Sequence, residues 1–462
     1  MVSRPIAWSA RLVRQPGKGL LFFAFAFAVM ADPVSSVAYA IEAALRALNG
    51  HLDLLLPTMG IVIGIIALVT LNYWQLVRAF PQGGGSPEAA GRAFGEGWSF
   101  LPIGALVVDF ALTIAISIAA AGSALIDYVP AVAPLRIPIA LALVVVVALM
   151  TWYGHGGRLA FAVMTCLFIV AAVAVLALGW VSPHQTHAAA PITGSASPAL
   201  VAVILAFPVA MALATGTEAP ATSIAQLGQL GDRGRWQFGR GTLALTVVIV
   251  GVLTMALTAL AVDLHVGIPS KDSTQIGDLA SAAAGRGGLF AFFQLSSGLL
   301  LLAAAASSFQ AGPGLLKALA RSTSSGREGL LPPVLARTNK HHTPVAAVGV
   351  YAVIAAAIIL IAGGQEQELV LVYAVAVFVS FLAGLLAMAR FSYRRGAWVL
   401  TATNLLGAAA VAFTLIVNLA RGYPLLAIGG TVLIAAVLYR RWVRGGRPSG
   451  IEEIEREAEA EG

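Results

Sequence analysis

Three acidic side chains interrupt long apolar runs, and this pattern restricts the chain to folds that bury polar groups inside a membrane-embedded bundle. Asp32 follows the apolar run 19–30, Asp109 lies within VVDFALT, and Glu218 lies within ATGTEAPATS. A carboxylate at the centre of a bilayer costs about 3 kcal/mol, so the three together cost roughly 8–10 kcal/mol that folding must offset. Either they are neutral, buried and hydrogen-bonded, or they line a path for an ion or a proton. We favour the second interpretation.

The composition indicates a polytopic membrane protein with almost all of its residues in the bilayer. Apolar residues make up 59% of the chain and charged residues 11%, and the mean hydropathy is +0.88. We predict a transmembrane domain at 19–439, between a short N-terminus at 1–18 and a tail at 440–462. Runs long enough to cross a bilayer, about 20 residues each, occur at 19–49, 55–77, 99–126, 136–152, 159–181, 199–226, 241–264, 288–316, 344–363, 367–389, 397–420 and 424–439.

The positions of the basic residues predict the orientation in the membrane. If the twelve runs all cross the membrane, 23 of the 28 Lys and Arg residues lie on the side of the N-terminus, four lie on the other side, and Arg46 lies within the first run. Such a bias predicts that both termini are cytoplasmic, in the cytoplasmic membrane. It also accounts for the net charge of +7 without a nucleic-acid partner.

Two of the runs, the first and the sixth, carry residues that break helices at membrane depth. Pro33 in the first removes a backbone donor, and the following Ser35 and Ser36 offer hydroxyls to the freed backbone groups. The sixth contains Gly216 between two prolines, at 208 and 220. Irregular backbone inside a membrane persists only where it is packed in protein or lines a cavity.

Broken helices that lie five spans apart are typical of an inverted repeat with the substrate site at the bilayer midplane. We therefore predict an all-α, LeuT-like five-plus-five fold of about twelve helices. Its repeats would lie at 19–181 and 199–389, followed by two further helices at 397–439.

Nothing in the sequence indicates an enzyme or a bound cofactor. The chain has one cysteine, Cys166, and lacks the HExxH, GxSxG and paired CxxC motifs. The histidines of HQTH, His184 and His187, have no third ligand nearby, and we interpret them as part of a solvated loop. The partners predicted from the sequence are the lipid bilayer and a small transported solute, and the oligomeric state stays open.

Five separate stretches, in order, resemble one family of transporters. They are DPVSSVAY from Asp32, PQGGGSPEAA from Pro81, VDFALT from Val108, TGTEA from Thr215 and VYAVAVFVSF from Val372. On these stretches the chain resembles the amino acid–polyamine–organocation (APC) superfamily, and within it the KimA-like potassium–proton symporters.

The resemblance implies a set of ion-binding residues. It implies that potassium contacts the carboxylates Asp32 and Asp109, and that Glu218 handles the coupled proton. The further potassium-binding residues that it implies are Tyr39, Thr113, Thr215 and Tyr373. The chain departs from the family in two places: Phe110 replaces a tyrosine, which removes one oxygen ligand, and the first helix reads AYAIE where AYGPE is more frequent.

The residue chemistry favours a cationic substrate. A dehydrated monovalent cation needs several oxygen ligands, which carboxylates, hydroxyls and freed carbonyls supply. A carboxylate substrate needs exposed N–H groups, whereas the first break offers an anionic Asp32 and the donor-free Pro33. We therefore expect a secondary active transporter for proton-coupled potassium uptake, with potassium and the proton as transported ions. The alternative is a proton-coupled amino acid or amine permease, which the loss of the oxygen at Phe110 leaves open.

Overall fold

The protein folds into a bundle of helices. The computed structural model describes residues 18–153, 157–185, 198–227, 230–321, 329–422 and 425–447, without the side chains of residues 18, 226, 373 and 374. Within these ranges the only β contact is an isolated bridge between Thr338 and Pro344, which confirms the predicted all-α class. The α-helices are α1 Lys18–Val29, α2 Ala31–Ser35, α3 Val37–Ala47, α4 Leu55–Ala79, α5 Gly85–Phe94, α6 Phe100–Tyr128, α7 Arg136–Trp152, α8 Arg158–Val181, α9 Ala199–Ala210, α10 Ala219–Ser223, α11 Asp232–Asp263, α12 Gln275–Ala284, α13 Gly288–Ala320, α14 Val345–Ile361, α15 Glu366–Arg394, α16 Trp398–Ala420 and α17 Leu425–Arg444.

Most of the predicted spans form long apolar helices. In the described residues, ten helical segments are long and apolar enough to cross a membrane. They are Leu52–Ala79, Glu96–Tyr128, Pro130–Trp152, Arg158–Val181, Ala199–Ser223, Asp232–Asp263, Gly288–Ala320, Glu366–Arg394, Trp398–Ala420 and Leu425–Arg444. The chain is therefore an integral membrane protein.

Two of the twelve predicted spans, the first and the ninth, fall short of that length. The first divides into α1, α2 and α3, because the chain is interrupted on either side of Asp32-Pro33. The ninth is α14, whose 17 residues reach about 25 Å at 1.5 Å per residue, against a hydrocarbon core of about 30 Å. The count of twelve thus stays a prediction. The last helix also runs five residues further than predicted, to Arg444.

The helices differ in how much of their surface faces the protein. In α6, 83% of the apolar window is buried, whereas in α7 and α17 only 22% is buried. α6 packs against α13, α15 and α17, so it lies at the centre of the bundle. Asp109 lies on this central helix.

The outside of the bundle is apolar and suited to lipid. Large aliphatic side chains are highly exposed on several peripheral helices, among them Val181, Ile361, Val399 and Leu426. A continuous apolar exterior of this kind is stable in contact with lipid tails and unfavourable in water.

Two short helices lie on opposite sides of the bundle. We call the side on which α1 begins the N-terminal side. α5 lies there, and the loop before it is tied to the first turn of α11 because Gln82 bonds Asp232 and Arg235. α12 lies on the opposite side, where Gln275 bonds Glu42 near the end of α3.

Candidate functional site

The sixth span is interrupted between α9 and α10, where Thr215 and Gly216 leave the right-handed helical conformation. α9 ends at Ala210, a 3-10 turn follows over Met211–Ala214, and Thr215 is extended with φ −64° and ψ 145°. Gly216 then takes φ +77°, a left-handed conformation that glycine adopts at little cost. The helix resumes as α10 directly after Glu218, with a proline at its start. The break therefore carries Glu218 at the N-terminus of a new helical segment.

The first span is interrupted more gently. Its two interruptions, at Met30 and Ser36, keep right-handed helical angles; Ser36 has φ −63° and ψ −23°. The Ser35 hydroxyl donates to the Asp32 carbonyl at 2.7 Å, as predicted for a serine beside a proline break. The first span is therefore a distorted helix whose chain direction continues through the break. The Asp32 side chain lies inside the bundle.

The two breaks touch each other. A Cβ atom built on Gly216 would lie 2.8 Å from both Asp32 Cγ and Pro33 Cδ, so only glycine fits there. The hydroxyl oxygens of Ser36 and Thr215 lie 2.9 Å apart, which joins the first span to the sixth by a hydrogen bond. Broken helices one and six, which the sequence predicts separately, thus form one structural unit.

The three predicted carboxylates are buried close to this unit. Asp32 is 9% exposed, Asp109 2% and Glu218 5%. Each has a buried oxygen that no protein group hydrogen-bonds. Asp109 lies within electrostatic range of both Glu218 and Asp32. Three anions cannot share such a low-dielectric region unless protons or cations neutralise them. One oxygen of each carboxyl thus has no protein partner, and the ion-binding interpretation stays a prediction.

Three of the predicted potassium-binding hydroxyls are buried in the same part of the bundle. Tyr39, Thr113 and Thr215 are each at most 1% exposed. The Tyr39 hydroxyl lies 3.0 Å from Ser36 Oγ, and Thr215 also donates to the Ala212 carbonyl at 2.8 Å. Thr113 follows Asp109 by one helical turn, so both lie on one face of α6.

The last predicted ion-binding residue, Tyr373, lies in α15, and its side chain is outside the part of the protein that the structure describes. Among the described residues, no group of three or more His, Cys, Asp or Glu side chains is placed to hold a metal ion.

Two buried tyrosines near the carboxylates are absent from the sequence-based set. Tyr73 on α4 lies within electrostatic range of Glu218 and Asp109, and Tyr351 on α14 lies within range of Asp109. Each is 1% exposed. Tyr73 precedes Trp74 near the end of its apolar run, which resembles an interfacial aromatic anchor. Only the packing of α4 against its neighbours shows that it points inward.

A second charged cluster lies on the opposite side of the bundle, and the sequence gives little sign of it. Glu42 on α3 pairs with Arg46 at 2.8 Å and accepts from the Gln275 backbone at 3.2 Å. Glu42 lies within electrostatic range of Glu366 on α15. The Ser123 hydroxyl donates to Glu366.

The loop before α12 is held by charged groups from three helices. Arg136 donates to the Lys271 carbonyl at 2.7 Å, and Asp127 accepts from the backbone and the hydroxyl of Thr274 at 3.2 and 3.1 Å. Arg46 donates to the Pro269 carbonyl at 3.4 Å. The loop is therefore fastened to α3, α6 and α7, and it covers this side of the bundle.

A cavity of about 450 Å³ lies next to this cluster. It opens between α3, α9 and α15. Gln367 in its wall donates to the Tyr39 backbone carbonyl at 3.4 Å, so the cavity wall contacts the helix that carries the candidate site. Its lining residues are Ala43, Arg46, Ala47, Asn49, Val209, Gln367, Glu368, Val370, Leu371 and Arg421.

Comparisons with known proteins relate the chain to a family of permeases. A family model described as "Amino acid permease" matches residues 20–440. "Potassium transporter KimA" of Bacillus subtilis (strain 168) is 29% identical over 367 residues, which cover 76% of this chain and 58% of that protein. The match thus takes in somewhat over half of the relative's length.

Proposed function

Since the chain belongs to the amino acid permease family and is a transporter rather than an enzyme, we propose that it is a secondary active transporter that takes up potassium with protons. The proposal includes the LeuT-like five-plus-five repeat and twelve spans, with broken helices one and six at its centre. It also includes a location in the cytoplasmic membrane with both termini in the cytoplasm.

One observation carries the proposal: Asp32 lies where the two helix breaks meet, and Asp109 and Glu218 are buried within electrostatic range of it, each of the three carboxyls with an unpaired oxygen. Asp32 comes from the first break, Glu218 from the second and Asp109 from the central helix. A cation that enters this region neutralises part of their mutual repulsion, and a proton neutralises more. If the site is stable only when it holds a cation and a proton together, the transport of the cation is coupled to the transport of the proton.

The proposed ligands for potassium are oxygens of Asp32, Asp109, Tyr39, Thr113, Thr215 and Tyr373. The hydrogen bonds of Ser36 to Thr215 and Tyr39 support the set, because they hold two of these hydroxyls at the breaks. Glu218 is the proposed proton-binding group, since it begins a helical segment beside the unwound residues.

The substrate has a second candidate, an amine or amino acid, which the description of the matched family favours. An amine would pair with Asp32 through its ammonium group, as potassium does. An amino acid would also bring its carboxylate close to three buried anions, which opposes its binding.

A transport assay separates the two substrates. The full chain is reconstituted in liposomes with an imposed pH gradient, and uptake of potassium is measured beside uptake of amino acids and amines. We expect potassium uptake that depends on the pH gradient and amino acid uptake at the level of empty liposomes. Gradient-driven amine or amino acid uptake without potassium uptake would contradict the potassium proposal.

The orientation is tested by cysteine labelling from outside intact cells, in a variant that lacks Cys166. A cysteine at Ser195 is expected to react and one at Ser324 is not; both positions lie outside the described residues. Labelling at Ser324 would overturn the proposed topology.

A further inference from the structure

Tyr73 joins the buried carboxylates to the N-terminal side of the bundle. It lies on α4 and is fully buried. Its hydroxyl lies 3.0 Å from the Ser86 hydroxyl on α5, and the Ser380 side chain on α15 lies close to it. Two titratable groups face the phenol, Glu218 beside α10 and Asp109 on α6. The tyrosine thus lies within electrostatic range of both carboxylates and within hydrogen-bond distance of a serine hydroxyl on α5.

Ser86 stands at the start of a short helix, α5, whose beginning approaches the segment that follows Glu218. Gly84 and Gly85 take φ +85° and +48°, which turns the chain into α5. A Cβ on Gly85 would lie 3.3 Å from Thr222 Cγ2. Thr222 belongs to α10, the segment that starts directly after Glu218. The beginning of α5 therefore lies against the same segment that positions the candidate proton-binding group.

The position of Ser86 is tightly fixed. A Cβ on Gly384 of α15 would lie 2.7 Å from Ser86 Oγ, so only glycine leaves room for this hydroxyl. Asn72, the neighbour of Tyr73, donates to the Gly384 carbonyl at 3.4 Å. The pair of hydroxyls is consequently held by α4, α5 and α15 together.

We propose that Tyr73 and Ser86 form a proton relay between Glu218 and the N-terminal side of the bundle. The inference rests on the proposed proton-coupled function. In the relay step, the Glu218 carboxyl gives its proton to the Tyr73 oxygen, directly or through one water molecule. Tyr73 passes its own proton to Ser86, and Ser86 passes its own to water. One proton crosses, both hydroxyls are regenerated, and no tyrosinate forms.

The relay gives the phenol a role that an apolar ring could not fill. Burial leaves its O–H paired, because the Ser86 hydroxyl lies 3.0 Å away. Tyr351 gives the contrast. It is equally buried and lies near Asp109, but its hydroxyl donates to the Val107 carbonyl at 3.3 Å. A backbone carbonyl has no proton of its own to pass on.

The test uses Tyr73→Phe, which keeps the ring and removes the hydroxyl, with Tyr351→Phe as the matched control. Full-length proteins in liposomes are compared in two assays: uptake driven by a pH gradient, and exchange of potassium for potassium at equal pH. We expect Tyr73→Phe to slow gradient-driven uptake about tenfold or more, as for loss of a proton-transfer group, and to leave exchange within about twofold. Tyr351→Phe is expected to keep both rates within about twofold of the wild type, since it deletes no relay member.

A second variant, Ser86→Ala, keeps the proposal testable if Tyr73→Phe folds poorly. It is expected to slow gradient-driven uptake and to enlarge the solvent deuterium isotope effect, because water must then carry the proton past Tyr73. An unchanged rate in both variants overturns the relay. Equal losses of uptake and exchange also overturn it, since they indicate a structural role.

The failure of the relay and the failure of the proposed function give different results. If the wild type moves an amine with protons, the same comparison is made with that substrate, because the relay concerns the proton alone. If the wild type shows no dependence on the pH gradient, the relay and the proton-coupled function are both excluded.

Discussion

The two helix breaks differ in how they depart from helical geometry, although the sequence describes both as proline-containing interruptions. The first break keeps right-handed helical backbone angles at both interruptions. Its Ser35 hydroxyl donates to the Asp32 carbonyl. The sixth has an extended Thr215 and a left-handed Gly216. The first break therefore supplies a side chain, Asp32, from a nearly regular helix. The sixth supplies side chains together with backbone groups that the helix no longer uses.

The difference suggests a division of roles between the breaks. A carboxylate fixed on a continuous helix is suited to bind an ion in a constant place. A carboxylate at the start of a new segment follows a stretch held by single turns, such as Thr217 N–H to the Ala214 carbonyl. It can shift when its charge changes more easily than one within a regular helix. Four predictions test this comparison.

The largest effect is expected from Gly216→Ala, which places a methyl group where the breaks meet. The left-handed φ costs about 1–3 kcal/mol for a residue with a side chain, and the contacts at 2.8 Å with Asp32 and Pro33 add about 1–3 kcal/mol of overpacking. We expect a large drop in the midpoint of thermal unfolding in detergent.

Gly64→Ala is the matched control for that variant, because a methyl group there meets nothing within 4 Å on a regular part of α4. Its midpoint is expected to equal or exceed that of the wild type. If Gly216→Ala melts like Gly64→Ala, the two breaks do not touch as described.

Asp32→Asn and Asp109→Asn are each expected to reduce potassium uptake severely, by about tenfold or more, since each removes a charge from the proposed ligand set. Protein yield should stay normal, because removing a buried charge from the membrane costs no folding energy. Uptake and yield are measured together in a bacterial strain deficient in potassium uptake. Wild-type uptake in both variants would favour the amine or amino acid substrate.

Glu218→Gln is expected to separate binding from coupling. The amide mimics the protonated carboxyl, so potassium still binds and exchanges, while accumulation driven by the pH gradient is lost. Potassium exchange at equal pH is the internal control for folding. Accumulation at the wild-type level would show that the coupling proton binds elsewhere, with Asp109 as the next candidate.

The smallest effect is expected from the paired serines of the first break. Ser36→Ala removes the hydrogen bond to Thr215 in the sixth span, at about 1–3 kcal/mol for buried groups left unpaired. Ser35→Ala removes a bond within the first span alone, at about 0.5–1 kcal/mol. We expect Ser36→Ala to lower the apparent affinity for potassium more than Ser35→Ala does. The reverse order would mean that the first break acts without the sixth.

The sequence predicts the local parts of the fold well. The all-α class, the two interrupted spans and the serine that bonds beside Pro33 all follow from hydropathy and backbone chemistry. These depend on neighbouring residues only, so they are readable without the fold. The lengths of the first and ninth spans were less predictable, since an apolar run shows composition and not where a helix ends.

The candidate site also has one part that the sequence predicts and one part that it does not. That Asp32, Asp109 and Glu218 lie inside the bundle follows from the sequence, because a charge at membrane depth must face protein. That Tyr73 faces Glu218 does not follow, since a tyrosine beside a tryptophan fits an interfacial anchor equally well. The binding roles assigned to the six potassium ligands stay predictions.

By itself, the sequence determined that this protein is a helical membrane bundle with buried carboxylates at two interrupted helices, because insertion in lipid penalises every other arrangement of these residues. Only the tertiary structure decided that Gly216 lies against Asp32 and Pro33, that Ser36 bonds Thr215, and that charged side chains from α3, α6 and α7 fasten the loop before α12. Those pairings join residues far apart in the chain. They depend on which helices pack together, and helix composition does not specify this.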